Sequence, residues 1–307
     1  MHLDNISSDL MRAVAGINDI TSGAFSLRQN GQGVYLHSTE NIIITRKLDK
    51  PGIDIVVKPG TRGEKVHIPV LLTEAGLNDM VYNTFIIGEG AEVEIVAGCG
   101  IHNCGNEDSQ HNGIHDFIVR KGASLRYVEK HFADGDGQGR KILNPTTIVT
   151  VEEGARAEME MHQIRGVDDT ERKTTAYIHK NGSFKVIERL LTHEKQRAVS
   201  DIEIFMLGDG CSAQVLSRSV AQNYSQQAFN ASLNGKCACN GHVECDSIIM
   251  DYARISAVPR LSAESPDAVL THEAAIGKIA GEQVIKLMTL GLSEKEAIDT
   301  IINGFLR

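Results

Sequence analysis

Tryptophan is missing from this 307-residue chain, and aromatic residues of all kinds make up only 5% of it. Carbohydrate clefts lean on stacked aromatic rings, so a polysaccharide-acting enzyme is disfavoured. Basic residues are scarce too: 31 Lys and Arg stand against 40 Asp and Glu, a formal net charge of −9. Nucleic-acid binders carry basic patches, and this balance argues against that class. No stretch approaches the roughly 18 apolar residues needed to cross a bilayer, so no membrane span is expected. The opening MHLDNISSDLMRAVAGI lacks the basic start and apolar centre of an export signal, and the expected location is cytoplasmic. There is no G-x-x-x-x-G-K-[ST] phosphate loop, no G-x-S-x-G and no C-x-x-C. The chain therefore carries no obvious nucleotide-hydrolysing site of its own.

What is present is enough for a real core: 41% of residues are apolar. The length fits one large domain or two ordinary ones. Short glycine turns recur along it. IGEGAEVEI (87–95), RKGASLRYV (120–128), EEGARAEME (152–160), KNGSFKVIE (180–188) and GDGCSAQVL (208–216) share a glycine among polar residues, followed by polar–apolar alternation. Extended outward to Gly60 and Gly241, the ladder runs Gly60, Gly90, Gly122, Gly154, Gly182, Gly210, Gly241. Its steps are 30, 32, 32, 28, 28 and 31 residues. Glycine tolerates φ > 0 and supplies the turn, while period-two alternation reads as a half-buried strand. Repeats of this length point to a stacked solenoid, although strand–turn–strand units also suit an antiparallel sandwich of hairpins.

The ends read differently. Residues 5–17 have the pattern of a short helix. The last 45 residues are expected to be helical: GEQVIKLMTLG (281–291) is stopped by Gly291, and in LSEKEAIDTIINGF (292–305) Ser293 and Glu296 have capping-box spacing. The expected partition is a helix and linker over 1–34, a β core over 35–262 and a helical domain over 263–307.

Chemistry concentrates in three places. KCACNGHVECD brings Cys237, Cys239, His242, Cys245 and Asp246 within ten residues. Clustered thiols in a reducing compartment suggest soft or borderline metals, zinc, copper(I) or iron–sulfur units, although C-x-C-x5-C is no zinc ribbon. The bland alternative is packing, since free cysteine is often buried. All three cysteines are odd-numbered and would share one side of a regular strand, with Gly235 and Gly241 expected to break that regularity. Cys99, His102, Cys104, His111 and His115 lie in VAGCGIHNCGNEDSQHNGIHD (96–116), read as a Gly-rich polar loop. His272 and Glu273 adjoin in THEAAIGKI (271–279), where Ile276 rules out H-E-x-x-H.

Taken together, these segments resemble a known family. ISAVPRLSAESPDAVLTHEAAIGKIAGEQVIKLMTLGLSEKEAIDTIINGFLR is similar to the C-terminal region of SufB and SufD, paired scaffold subunits of the SUF iron–sulfur assembly system. The H-E-A segment, G-L-S-E-x-E-A and the closing N-G-F are its specific marks. CDSIIM resembles the SufB segment that carries its cluster cysteine. HIPVLLTEAGLNDMVYNTFIIGEGAEVEIVAGCGIHN is similar to the short, single-gene members. The likeness runs from about residue 20 to 307.

The resemblance implies a right-handed parallel β-helix with a short N-terminal helix and a C-terminal helical domain that docks a SufC-like ABC ATPase. It implies a scaffold rather than an enzyme, holding an iron–sulfur cluster transiently. Cys245 matches the cluster cysteine, Glu273 the assisting acid and His272 its neighbour; Cys237 and Cys239 are further candidate ligands. A homodimer would replace the SufB–SufD pair, served by a sulfur donor and apo-protein acceptors. The long SufB proteins' sulfur-accepting cysteine has no mapped position here, and Cys99, Cys104 and Cys211 are candidates. No motif argues for or against a flavin. The alternative is an accessory SufD-like subunit that binds the ATPase without holding a cluster.

Overall fold

The computed structural model describes residues 3–20 and 22–307, the side chain of Arg165 excepted. These residues are mostly β-structure (57%), wound into a β-solenoid of about 8 turns. Helix α1 (Asn5–Ala15) begins at an Asp4 cap whose carboxylate accepts from the Ser7 amide at 2.7 Å. There follow β1 (Ala24–Gln29), β2 (Gln32–His37), β3 (Ile42–Arg46), β4 (Ile53–Val57), β5 (Glu64–Leu72), β6 (Asn78–Ile87), β7 (Glu92–His102), β8 (Ser109–Val119), β9 (Ser124–Asp134) and β10 (Lys141–Leu143). The second half holds β11 (Thr146–Val151), β12 (Arg156–Arg165), β13 (Asp169–Ile178), β14 (Ser183–Thr192), β15 (Arg197–Met206), β16 (Cys211–Ala221), β17 (Gln226–Gly235), β18 (Cys239–Ile249), β19 (Arg254–Ala263) and β20 (Ala268–Gly277). Helices α2 (Gly281–Thr289) and α3 (Glu294–Phe305) close the chain.

Two sheets face each other. One runs β2-β1-β5-β7-β9-β12-β14-β16-β18-β20; the other runs β19-β17-β15-β13-β10-β8-β6-β4-β3, with β11 also between β13 and β8. The coil-to-coil pairings are parallel, which excludes a sandwich of hairpins. The antiparallel pairs β1–β2 and β3–β4 sit together at the N-terminal end of the stack.

The turn ladder is visible as a column of hydrogen bonds. Gly60, Gly90, Gly122 and Gly154 take φ between 62° and 71°. The Gly90 amide donates to the Lys121 carbonyl at 3.1 Å and the Gly122 amide to Glu153 at 3.1 Å, so each turn hangs on the next. Two rungs differ from the reading by glycine. Asn181, not Gly182, holds the left-handed position (φ 55°), a role asparagine tolerates. Gly241 lies within β18, where an added Cβ would come 2.8 Å from Leu233 and Leu270. It gives room inside the stack and does not break the strand.

Between turns, inward residues alternate with outward ones and form one long core, in which Phe85 stacks on Phe117 at 4.2 Å. Helix α1 lies across the outside of β7. A Cβ on Gly98 would come 2.7 Å from the Val14 Cβ, so glycine is what allows the helix this close.

Strands continue further than expected at the C-terminal end. Residues 268–277 form β20 rather than helix, because Ala268, Leu270, His272, Ala274 and Ile276 repeat with period two against β18. The capping box at Ser293 and Glu296 is formed, and α3 buries Ala297 and Ile302. Ile302 and Leu306 pack with Val220.

Candidate functional site

Cys245 lies on the inward face of β18, in register with Ser217 on β16 and Ala274 on β20. It is 1% exposed and belongs to the main core. Burial, with the Glu188 carboxylate nearby, pushes its thiol up to about 11, against a Ser247 hydrogen bond that favours the thiolate. Within a single chain, then, Cys245 is a protonated thiol. Its place in the stack is near one end. Only one coil, β19 and β20, lies between it and the end of the stack.

That end is open. Among the described residues, β19 and β20 are the outermost strands of their sheets, and each has one unpaired edge. The inward side chains of this coil have no further coil to cover them: Leu261 is 39% exposed and Ile276 46%.

The structure brings His272, but not Glu273, to the face of Cys245. His272 stands in register with the buried Val243, on the inward side, and Glu273 with Glu244, on the outward side. One strand spacing and two residues separate Cys245 from His272, roughly 8 Å between backbone positions. Both lie on a strand rather than a helix, but the consequence of adjacency is the same: neighbours point to opposite faces.

Cys237 and Cys239 are not beside Cys245. Cys239 opens β18 on the inward face and Cys237 sits in the turn before it. Six residues of strand put roughly 20 Å between Cys239 and Cys245. Their near neighbour is Cys211, the first residue of β16, in register with Cys239.

The 96–116 segment is also different from the expected loop. Most of it is strand, in β7 and β8, and Cys99, His111 and His115 are buried inside the stack. His102 and Cys104 lie apart from these, with Cys104 exposed and its sulfur 3.0 Å from His102 Nε2. His111 Nδ1 lies 3.0 Å from Asp79, and burial drives the His115 imidazole down to about 4.

A feature that the sequence did not disclose runs along the interior. In one register row Ala97, Glu129, Met161, Glu188, Ser217, Cys245 and Ala274 succeed one another, coil by coil. The adjacent row holds Cys99, His131, Gln163, Leu190, Ser219 and Ser247. Arg172, on β13 opposite, donates to Glu129 at 2.6 Å and has its Nε 3.5 Å from Glu188, which accepts from Ser200 at 2.8 Å. Burial alone would push Glu129 up, but His131 and Arg172 beside it hold its carboxyl well below the ordinary range. These polar groups are 3–6% exposed, and a polar line thus threads an otherwise apolar core from Cys99 to Cys245. The usable signal was the coil length: Cys245 follows Ser217 by 28 residues, the same step as the glycine ladder.

Comparison with known proteins gives the same direction. The family model described as "SUF system FeS cluster assembly, SufBD core domain" matches residues 71–305. An iron–sulfur cluster assembly SufBD family protein of Archaeoglobus fulgidus is 30% identical over 85% of this chain and 70% of its own length. One from Methanothermobacter thermautotrophicus is 29% identical, over 83% of this chain and 62% of its own. The iron–sulfur cluster assembly protein SufB of Bacillus subtilis is 25% identical over 80% of this chain, which spans 53% of that protein.

Proposed function

The chain belongs to the SufBD family of iron–sulfur cluster assembly proteins, and from that premise we propose that it is a scaffold on which a cluster is built at the open end of its β-solenoid. The observation that carries the reading is the position of Cys245: inward-facing, at the end of a polar row, one coil from unpaired strand edges. A buried thiol with no outlet would be filler. This one needs only the last coil to shift.

Unpaired edges and an uncovered apolar interior favour pairing with a like surface. A second copy of the chain, meeting this end by a twofold axis, covers both at once. The seam then brings two Cys245 and two His272 close together, with Glu273 on the outer side of the same coil. The cluster is cargo here, and mixed sulfur and nitrogen ligation holds it less tightly than four thiolates, which suits transfer. Sulfur reaches the site from a donor protein and leaves with the cluster to apo-protein acceptors. Exposed Cys104 is better placed to meet a sulfur donor than Cys99 or Cys211, both of which are buried.

The chain works as an assembly component with a SufC-like ABC ATPase as motor. Helix α2 supports this: none of its residues is buried, and Ile285 (61%) and Met288 (43%) stand in solvent. Movement of the ATPase, passed through α2 and α3 to the last coils, is the means of opening the seam.

The test is anaerobic reconstitution with iron and sulfide, read by visible absorption and by iron and sulfide content. Wild type gains a cluster and Cys245→Ala does not, with unchanged far-ultraviolet circular dichroism. The burial of Cys245 also suits an accessory subunit that binds the ATPase but holds no cluster. Equal and negligible loading of both proteins, with binding of the ATPase retained, would favour that second reading.

A further inference from the structure

Cys211, Cys237 and Cys239 form a thiol cluster that the cluster-assembly reading does not use. Their three sulfurs all lie within 4.8 Å of one another, and Cys211 Sγ is 3.9 Å from Cys237 Sγ. Two stacked turns hold them. The Gly210 amide donates to the Ala238 carbonyl at 2.8 Å, the Cys211 amide to Gly208 at 3.2 Å, and the Ala238 amide to the Asp209 carboxylate at 3.2 Å. Space has been left for the sulfur: any Cβ on Gly235 would come 3.0 Å from Cys239 Sγ. Cys211 and Cys239 are buried, whereas Cys237 is half-buried and opens the cluster to solvent.

We propose that this triad is a three-thiolate site for one divalent, thiophilic cation of the zinc(II) or iron(II) kind, separate from Cys245. Metal–sulfur bonds of about 2.3 Å in tetrahedral array put thiolates roughly 3.8 Å apart. Cys211 and Cys237 already have that separation, and no pair needs to close by more than about 1 Å. Three thiolates carry three negative charges into a largely buried site. A divalent ion leaves one uncompensated charge and a monovalent ion two, so the divalent ion is favoured. Three protein ligands leave a fourth position free on the Cys237 side, where a water completes the shell and the ion can exchange.

The thiols resist ionisation, so a cation has to displace their protons. Burial and the neighbouring Cys211 push Cys237 up to about 11, and Cys211 and Cys239 are likewise raised. Without a cation the three remain protonated. Binding expels one proton from each, three per divalent ion. The cluster cannot share ligands with Cys245, which lies roughly 20 Å along the strand.

The experiment titrates the full metal-free chain, kept reduced and anaerobic, with zinc(II), with iron(II) and with cobalt(II) as a coloured probe. One equivalent is expected to bind. Cobalt should show thiolate-to-metal charge-transfer absorption, and protons should be released into weak buffer. Cys237→Ser, at the half-buried position, should weaken zinc binding by at least about tenfold, the loss that even an outer partner costs a metal site. Cys245→Ala should bind as wild type does. The parallel zinc and iron arms show which ion is preferred. Absence of binding by wild type, binding undiminished in Cys211→Ser/Cys237→Ser/Cys239→Ser, or its loss in Cys245→Ala would each overturn the proposal. None of these outcomes depends on whether a cluster forms at Cys245.

Discussion

Cys245 and Ala274 stand in register on adjacent coils, so the inward side chain opposite the thiol at the open end of the stack is a single methyl group. A larger side chain there would cap the thiol. Ala274→Leu adds bulk on an inward face with one uncovered side, so its cost to folding should be small, within about 1 kcal/mol. Its effect on cluster loading should be large. Reconstituted Ala274→Leu is expected to carry less than half the wild-type iron and sulfide; unchanged loading would mean the cluster does not form on this side of Cys245.

The same open end predicts a dimer. Ile276 lies inward on β20 and is partly exposed. Ile276→Glu places a charge where a second copy would bury it, and an unpaired buried charge is strongly unfavourable. Sedimentation should convert from dimer to monomer at micromolar concentration, with the β-rich circular dichroism retained.

Cys245 should also leave a mark on alkaline stability. Folding raises its thiol from 9.0 to about 11, so the folded chain keeps a proton that the unfolded chain loses. This contribution is complete below about pH 9 and fades as pH rises toward 11. That rise corresponds to on the order of 2–3 kcal/mol. Urea unfolding at pH 8 and at pH 10.5 should show a smaller alkaline loss in Cys245→Ala than in wild type.

How far these features could be read from the sequence depends on where their signal lies. The glycine ladder was legible because a left-handed turn leaves a chemical signature in the chain itself. Asn181 and Gly241 mark its limits: asparagine can take the same backbone conformation, and glycine can also be placed for room. β20 falls within the tail that the sequence pattern predicts to be helical, but its conformation is set by pairing with β18, a contact 29 residues away in the chain. The CDSIIM and H-E-A segments pointed to residues 245, 272 and 273, but not to the opposite faces that separate His272 from Glu273. The polar row and the Cys211–Cys237–Cys239 cluster arise from register between coils. That information is spread over steps of about 28 residues, and only the matching step from Cys211 to Cys239 hinted at it.

The interior row makes its own prediction through Arg172. Its guanidinium, 3% exposed, serves Glu129 at 2.6 Å and approaches Glu188 at 3.5 Å. Arg172→Met removes the charge and leaves Glu129 buried without its partner, at a cost of about 3–5 kcal/mol in urea unfolding. Glu129 is held well below its ordinary value of 4.5, so its stabilisation is complete above that pH and lost as pH falls. The wild type should therefore weaken in acid more steeply than the double variant Arg172→Met/Glu129→Gln.

The last prediction concerns the motor. Ile285 and Met288 are three residues apart on α2, which places them on one helical face, and both are exposed. α3 is fastened to the body by Ile302 and by hydrogen bonds from Arg189 to the Arg307 carbonyl at 2.7 and 3.1 Å. Among the described residues no α2 side chain is buried, so its apolar face is free for a partner while α3 fixes its base. Ile285→Asp with Met288→Asp should abolish binding of the SufC-like ATPase in isothermal calorimetry. Because neither side chain is buried, thermal stability should change by little. Ile302→Ala provides the contrast: it should lower stability by about 2–4 kcal/mol by opening a gap beneath α3. Retained affinity in the α2 double variant would place the docking surface elsewhere on the chain.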